Sequence, residues 1–536
     1  MYLSTILGVL CLITATRGLL WPKPQSYISS ETFYRLDPDN FQITLSEQAS
    51  KCETLTAAVQ RYRQLMFASD CSLLEANKER SPPRGSLNNY PKYAGELSEL
   101  TIGTGPDCPK YPTSNMSEIY TIRVMYGDRQ DAFLFGEEIW GVLRGLETFS
   151  QLIHRIDGNF VINSSFIVDY PRFKFRGLMV DTARHFIPIN YLLEMLDAMA
   201  YNKMNVLHWH IVDDQSFPYV SERFPSMSER GAFTPNLIYS PGDVRKVLEY
   251  GRLRGIRVLA EFDSPGHTLA WGKGIDNLLT PCYDKYFGSP TGTYGPIDPS
   301  KNETYDFLRN FFEEIVEVFP DDFIHLGGDE VDFSCWQSNP VINAFMKQIG
   351  IPGEYNLLEG FYMQKLVDIV SSLQKRYIVW QEVFDNGVHL RKDAVVHVWK
   401  HYSGFDYLLE TAKITGSGYP TIISAPWYLN YISYGSDWKK YYAVELLAFN
   451  GTQAQMDLVL GGSACMWGEY VDATNFISRT WARASAVAER LWSADSVTNP
   501  LDAERRIDNH RCRMISRGIR AEPIVGPGYC DCDYAV

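Results

Sequence analysis

The clearest chemistry in the 536-residue chain lies in six residues, His325-Leu326-Gly327-Gly328-Asp329-Glu330. Two glycines after a short apolar run let the backbone turn tightly and approach a ligand closely, delivering the adjacent carboxyls of Asp329 and Glu330 together. Neighbouring side chains on extended backbone diverge, so this pair is poorly placed to flank a glycosidic bond as acid and nucleophile about 5 Å apart. The two acids then have different work on one side. Glu330 protonates a leaving oxygen if burial or a neighbouring carboxylate raises its pKa, while Asp329 stays ionised and orients a polar group of the substrate. A Gly-Gly-Asp turn that merely caps a helix is the plainer reading of the same residues.

His208-Trp209-His210 places two imidazoles on one face of a strand, as a metal pair requires. In metal-dependent barrel hydrolases such a pair sits at the first strand with further His and a bridging Lys or carboxylate; here it falls at the second, in a chain with 10 His. No metal and no cofactor is expected. His267, in Glu261-Phe262-Asp263-Ser264-Pro265-Gly266-His267, reads as a partner of the acid held by Asp213, or as a satisfied structural histidine.

These residues need a scaffold that brings them together. After Pro171 the chain alternates short apolar runs with helical patterns, and eight runs are identifiable: Phe175–Val180, Asn205–Trp209, Arg257–Glu261, Phe323–Leu326, Tyr377–Trp380, Val395–Trp399, Thr421–Ser424 and Ser463–Met466. Strands alternating with helices predict a parallel sheet, and eight units over roughly 300 residues predict an α/β fold, a (β/α)8 TIM barrel, with one helix reduced between the fifth and seventh strands. Barrel enzymes carry their reactive groups just after the strands. The residues there are Asp181 and Arg184; His210, Asp213 and Asp214; Glu261, Asp263 and His267; Asp329 and Glu330; Trp380 and Glu382; Trp399; Trp427, Tyr428 and Asn430; Trp467 and Glu469. Tryptophans at four strand ends suit a ring-stacking pocket better than core packing.

The predicted organisation is a signal peptide over 1–18, a smaller α+β domain over 19–165, the catalytic barrel over 166–497, and a C-terminal segment packed on the barrel over 498–536. The first domain holds a helical stretch around Glu137–His154, and Arg80–Tyr93 reads as a loop open to proteolysis. The apolar stretch Leu3–Thr14 is short for a membrane span and is followed by small residues, so membrane insertion is not expected. Lys and Arg total 50 against 64 Asp and Glu, a net charge of −14, without a basic run to track a phosphate backbone, so nucleic acid is not an expected partner. Four acceptor sequons, at Asn115, Asn163, Asn302 and Asn450, agree with passage through the secretory pathway. With Cys11 in the signal peptide, nine cysteines remain, most of which an oxidising compartment would pair.

With Asp181-Thr182-Ala183-Arg184-His185, His-Trp-His-x-x-Asp-Asp, Gly-Gly-Asp-Glu and Ala464-Cys465-Met466-Trp467-Gly468-Glu469 in this order, the chain closely resembles glycoside hydrolase family 20, and within it the animal lysosomal β-N-acetylhexosaminidases. The likeness runs from Leu20-Trp21-Pro22 to Cys530. It implies a dimer, here a homodimer, acting on glycans or glycoconjugates in the lysosome or after secretion. It also implies a retaining mechanism in which the substrate's 2-acetamido oxygen is the nucleophile and forms an oxazolinium intermediate. By resemblance Glu330 is the general acid and later base; Asp329 orients the acetamido N–H; Tyr428 bonds the acetamido oxygen; Trp380, Trp399 and Trp467 wall the pocket; Arg184 and Glu469 hold sugar hydroxyls; Asp213 and His267 support the acid. The family's subunits follow Trp-Tyr-Leu with Asn-Arg, favouring anionic substrates, or Asp-Leu, favouring neutral ones. Here Asn430-Tyr431 departs from both, and the missing cation predicts a preference for neutral substrates. The resemblance further implies disulfides Cys52–Cys108, Cys282–Cys335 and Cys512–Cys530 and a free Cys465, leaving Cys71 and Cys532 to pair with each other or stay free. A binding protein without turnover, or a glycosidase with Glu382 or Glu469 as true nucleophile, stands as the alternative.

Overall fold

A computed structural model describes residues 19–67, 85–129, 131–402, 404 and 406–533. The expected signal peptide, most of the Arg80–Tyr93 loop's first half, and Cys71 lie outside them.

Eight parallel strands close into a barrel: β1 (Phe175–Asp181), β2 (Val206–His210), β3 (Arg257–Glu261), β4 (Phe323–His325), β5 (Arg376–Trp380), β6 (Val395–Val398), β7 (Thr421–Ile423) and β8 (Val459–Met466). Each coincides with an expected run. Strands β1 to β4 are buried at every residue, which is why they read as near-continuous apolar or β-branched segments rather than alternating ones. The helices between them are amphipathic. Pro241–Arg252, for example, starts at a Ser240–Asp243 capping box and turns Val244, Val247 and Leu248 inward. The expected reduction falls between β5 and β6, where the helix is only Gln381–Asp385.

Side-chain alternation sorts the barrel interior by height. At the N-terminal end, Phe175, Val206, Leu259, Phe323, Ile378, Val395 and Ile422 form one apolar cluster. One step up the same strands come His208, Glu261, His325, Trp380 and His397, all fully buried. The following loops carry Asp213, His267, Asp329 and Glu330.

The N-terminal domain is a separate mixed sheet of eight strands, with helices Glu53–Leu65 and Ile139–Leu152. Its strand Asn159–Asp169 runs past the boundary expected at 165. Buried ion pairs weld it to the barrel: Glu118, already paired with Arg144 of its own domain (2.8 Å), takes Arg176 at 2.5 Å, and Asp169 takes Lys203 at 2.9 Å. Charges this deep are tolerated because every partner is paired and hydrogen-bonded. The C-terminal helix Pro500–Ser516 leads to Arg517, whose ion pair with Glu147 (2.9 Å) ties the final segment to the first domain as well as to the barrel.

The disulfides Cys52–Cys108, Cys282–Cys335 and Cys512–Cys530 are present, Cys465 is a buried free thiol, and Cys532 is disulfide-bonded. Asn115, Asn302 and Asn450 are exposed. Asn163 is half-buried and its Nδ2 donates to Ser30 O (2.9 Å), a bond that a glycan there would replace. Among the described residues, no helix is long and apolar enough to cross a membrane.

Candidate active site

The loops after the strands enclose a cavity of about 500 Å³ lined by Arg184, His267, Asp329, Glu330, Trp399, Tyr428, Asn430, Tyr431, Ile432, Trp467, Glu469 and Tyr470. Nine of the eleven expected catalytic and substrate-binding residues therefore face one space. The other two, Asp213 and Trp380, lie beneath its floor, buried.

The Gly-Gly step after β4 sets the geometry. Gly327 (φ +67°) and Gly328 (φ +95°) adopt left-handed backbone, and a Cβ on Gly327 would lie 1.7 Å from Asp263 Oδ1. The Gly328 N–H donates to that same Oδ1 (2.8 Å), so the turn and the Asp263 loop lock each other. Beyond it Glu330 itself holds φ +50°, and His267 φ +56°. Non-glycine residues enter this region at a cost, and their persistence at the mouth of a cavity marks a site under constraint.

The adjacent carboxyls occupy unlike environments. Asp329 is 6% exposed, whereas the Glu330 side chain is 59% exposed and reaches into the cavity. Burial of its inner part and the neighbouring Asp329 raise the Glu330 pKa above the ordinary carboxylate value, while the His267 cation opposes that rise. Burial first, and then the charges of Asp329 and Glu261, push the Asp263 pKa well above the ordinary carboxylate value, against the opposing hydrogen bond from the Gly328 N–H. Neighbouring acids of the same site are thus set apart by environment rather than by residue type.

A relay runs behind Glu330. His267 Nε2 lies 3.8 Å from Glu330 Oε2, its Nδ1 donates to Asp213 Oδ1 (3.2 Å), and Asp213 Oδ2 takes Arg184 Nε at 2.9 Å and His210 Nε2 at 2.8 Å. Burial disfavours the imidazolium of His267, but the hydrogen bond to Asp213 and the charge of Asp329 outweigh it and raise the pKa to about 9. Burial likewise opposes the charge on Asp213, yet His210, His267 and Arg184 hold it well below the usual range.

The opposite walls are aromatic. Trp467 stands under the Arg184 guanidinium (4.9 Å to the ring centre) and edge-on to His210 (4.9 Å). Trp399 is fixed by donation from Nε1 to Glu382 Oε2 (2.9 Å), and Glu382 also pairs with Lys400 Nζ (2.9 Å). Trp380 lies lower, in one cluster with Met179, Cys465, Trp467, Trp399 and Tyr428. Tyr428 stacks on Tyr431 at 5.8 Å. Several buried polar atoms have no partner within the protein, among them Asn430 Oδ1, Trp467 Nε1 and His267 Nε2, all on cavity-lining residues. Glu469 lies 3.8 Å from Arg184 Nη1.

Sequence reasoning did not anticipate Ile432 and Tyr470 as lining residues, or the lock between Asp263 and the Gly-Gly turn. The exposure of Ile432 and Tyr470 (80% and 79%) depends on loop conformation, which no local pattern announces. His208, His325 and His397 bring ligand-capable atoms within 4.8 Å of one another in the barrel interior, but His208 already serves Glu261 (2.7 Å) and His325 pairs with His397 (3.3 Å).

Comparison with known proteins gives concordant matches. Residues 173–495 match the glycosyl hydrolase family 20 catalytic domain, and residues 20–152 match a domain described as beta-acetyl hexosaminidase like. The chain is 50% identical over 526 residues to the beta-hexosaminidase subunit beta of Felis catus, covering 97% of this chain and 95% of the relative. It is 49% identical over 530 residues to subunit alpha of Rattus norvegicus, covering 98% and 96%. Among solved structures, a chitobiase from Flavobacterium johnsoniae superposes with a TM-score of 0.76 at 27% identity, covering 94% of this chain and 73% of that one.

Proposed function

Because the chain belongs to glycosyl hydrolase family 20 and is a β-N-acetylhexosaminidase, we propose that it removes terminal N-acetyl-β-hexosamine by a retaining, substrate-assisted route. The observation that carries this reading is the unlike pair of adjacent acids on one side of the cavity, Glu330 reaching into it with a raised pKa and Asp329 buried beside Asp263 and His267. Glu330 donates its proton to the leaving oxygen as that bond breaks, and the acetamido oxygen attacks the anomeric carbon from the opposite face. Asp329 accepts from the acetamido N–H and stabilises the positive charge that develops there. Tyr428 steadies the acetamido oxygen, and Trp380, Trp399 and Trp467 exclude water around the ring. Glu330, now a carboxylate, takes a proton from water as it opens the cyclic intermediate, restoring the starting state. Arg184, Glu469 and Asn430 bind the sugar. The candidate carboxylate nucleophiles are otherwise engaged: Glu382 bonds Trp399 and Lys400, and Glu469 sits beside Arg184.

Neutral substrates are favoured, since Tyr431 brings an aromatic ring and no cation to the position after Asn430. The enzyme works as a homodimer in the lysosome or after secretion, which the disulfides and exposed sequons support; light scattering tests the dimer. Hydrolysis of an aryl N-acetyl-β-glucosaminide by wild type and Glu330→Gln, with and without a thiazoline mimic of the cyclised acetamido group, tests the chemistry. Wild-type turnover, abolished by the inhibitor and by the substitution, is expected. Turnover indifferent to the thiazoline overturns the substrate-assisted route.

A further inference from the structure

Glu261, the last residue of β3, is a fully buried carboxylate that the hydrolytic steps leave unused, and it touches both halves of the site. Its Oε1 accepts from Trp380 Nε1 (2.8 Å) and lies 3.3 Å from His325 Nδ1. Its Oε2 pairs with His208 Nε2 at 2.7 Å and lies 3.0 Å from His210 Nδ1. From His210 the contacts continue to Asp213, His267 and Glu330. From Trp380 they continue to Trp467, with ring centres 6.5 Å apart, and to the cluster that holds Tyr428 and Trp399. One carboxylate thus stands where the acid-side relay and the aromatic wall meet.

Burying a carboxylate costs several kcal/mol unless its lone pairs are satisfied by good partners. The His208 imidazole and the Trp380 indole hydrogen-bond Glu261, and His210 and His325 lie within 3.3 Å of it. The imidazoles do not respond alike: burial lowers His208 to about 4, whereas at His210 Glu261 and Asp213 overcome burial and raise it to about 10. His210 stands between the two carboxylates, hydrogen-bonded through Nε2 to Asp213 (2.8 Å) and with Nδ1 3.0 Å from Glu261 Oε2. Sequence spacing leads to the same arrangement, since His210 and Glu261 are register partners on adjacent strands, as are Glu261 and His325.

We propose that Glu261 is a positioning residue that fixes the aromatic wall of the sugar pocket relative to the proton-donating relay, one oxygen serving each. The inference rests on the reading of the site given above. Substrate binding and proton transfer are coupled through this single side chain, so that a displacement of Trp380 is felt at Glu330. Gln at this position keeps one carbonyl oxygen and replaces the other with a donor, so at most one arm retains its acceptor.

Two single-arm variants separate the effects. Trp380→Phe deletes the N–H on Oε1 together with part of the buried ring, and Asp213→Asn weakens the relay beyond Oε2 together with the Arg184 contact. With an aryl N-acetyl-β-glucosaminide of poor leaving ability, Glu261→Gln is expected to lose about 100-fold in kcat/KM, with Trp380→Phe raising KM and lowering kcat about fivefold, and Asp213→Asn acting mainly on kcat. In the double variant Glu261→Gln/Asp213→Asn, kcat should fall no more than about twofold below that of Asp213→Asn alone, because both substitutions break the same chain. Losses that multiply in the double variant, or a loss confined to melting temperature with kcat and KM intact, overturn the proposal. If Glu261→Gln does not fold, Trp380→Phe decides alone: coupled arms lower its kcat about fivefold with poor leaving groups, and an unchanged kcat contradicts the coupling. Glu330→Gln, run alongside, separates the two levels. Activity surviving in it removes the underlying reading, whereas an inactive Glu330→Gln with multiplicative losses at Glu261 removes only this inference.

Discussion

The two ends of one barrel are built from the same eight strands and do opposite things. At the N-terminal end the inward side chains are Phe175, Val206, Leu259, Phe323, Ile378, Val395 and Ile422, a closed apolar layer. Two residues further along β2 to β6 the inward positions are His208, Glu261, His325, Trp380 and His397, and then the loops with Asp213, His267, Asp329 and Glu330. The lower layer excludes water and fixes strand spacing; the upper layers use that rigidity to hold charges where water would otherwise screen them. Stability is expected to reside below and activity above, and substitutions should separate the two.

The largest effect is expected at the turn. Gly327→Ala adds a Cβ into Asp263 at a left-handed backbone position, and steady-state kinetics should record a loss of at least about 10³-fold in kcat/KM. A similar free-energy change at the other end should leave chemistry alone: Phe323→Ala, removing a ring buried under the Arg376 guanidinium, costs about 3–5 kcal/mol in denaturant unfolding, with kcat/KM of the folded enzyme unchanged. A matching loss of kcat/KM would break the contrast. His267→Gln sharpens it with a sign. On the proposed route Glu330 acts in its protonated form, so kcat/KM should fall as pH rises through its pKa; the His267 cation lowers that pKa, and its removal should move the alkaline limb upward in pH while the rate drops about 100-fold. A downward shift of the limb contradicts the assignment. At the rim, Tyr431→Arg should improve kcat/KM for a 6-sulphated substrate relative to the neutral one by about tenfold, measured by competing the two. The smallest change is expected from Trp399→Phe, which loses one hydrogen bond to Glu382 and should raise KM severalfold, roughly 1 kcal/mol.

Much of this organisation is legible in the sequence because parallel strands buried on both faces leave short apolar runs, and a barrel places its chemistry directly after them. All eight strands and the helix Ile139–Leu152 follow from those patterns. The tight Gly-Gly turn is readable too, although the same residues also fit a helix cap and only the left-handed backbone at Gly327 and Gly328 against Asp263 separates the two. What residue types do not encode is depth and long-range pairing. Trp380 ends a strand like Trp467 does, yet it is 1% exposed and spends its N–H on Glu261, a residue 119 positions away. The hairpin Leu279–Tyr283 and Pro290–Ile297, stapled by Cys282–Cys335, interrupts the path from β3 to β4 without a periodic signal of its own. The buried cluster of Glu118, Arg144 and Arg176 joins segments distant in sequence and could be recognised only once the domains were docked.

The claim at the centre of this account is that the substrate, not the protein, supplies the nucleophile. The most direct test is kcat/KM for aryl β-glucosaminides whose N-acetyl group carries zero, one, two or three fluorines. Each fluorine withdraws electrons from the amide oxygen, so the rate should fall steeply and steadily along the series. A flat series, with the trifluoroacetyl substrate cleaved as fast as the acetyl one, would mean that a protein carboxylate attacks instead.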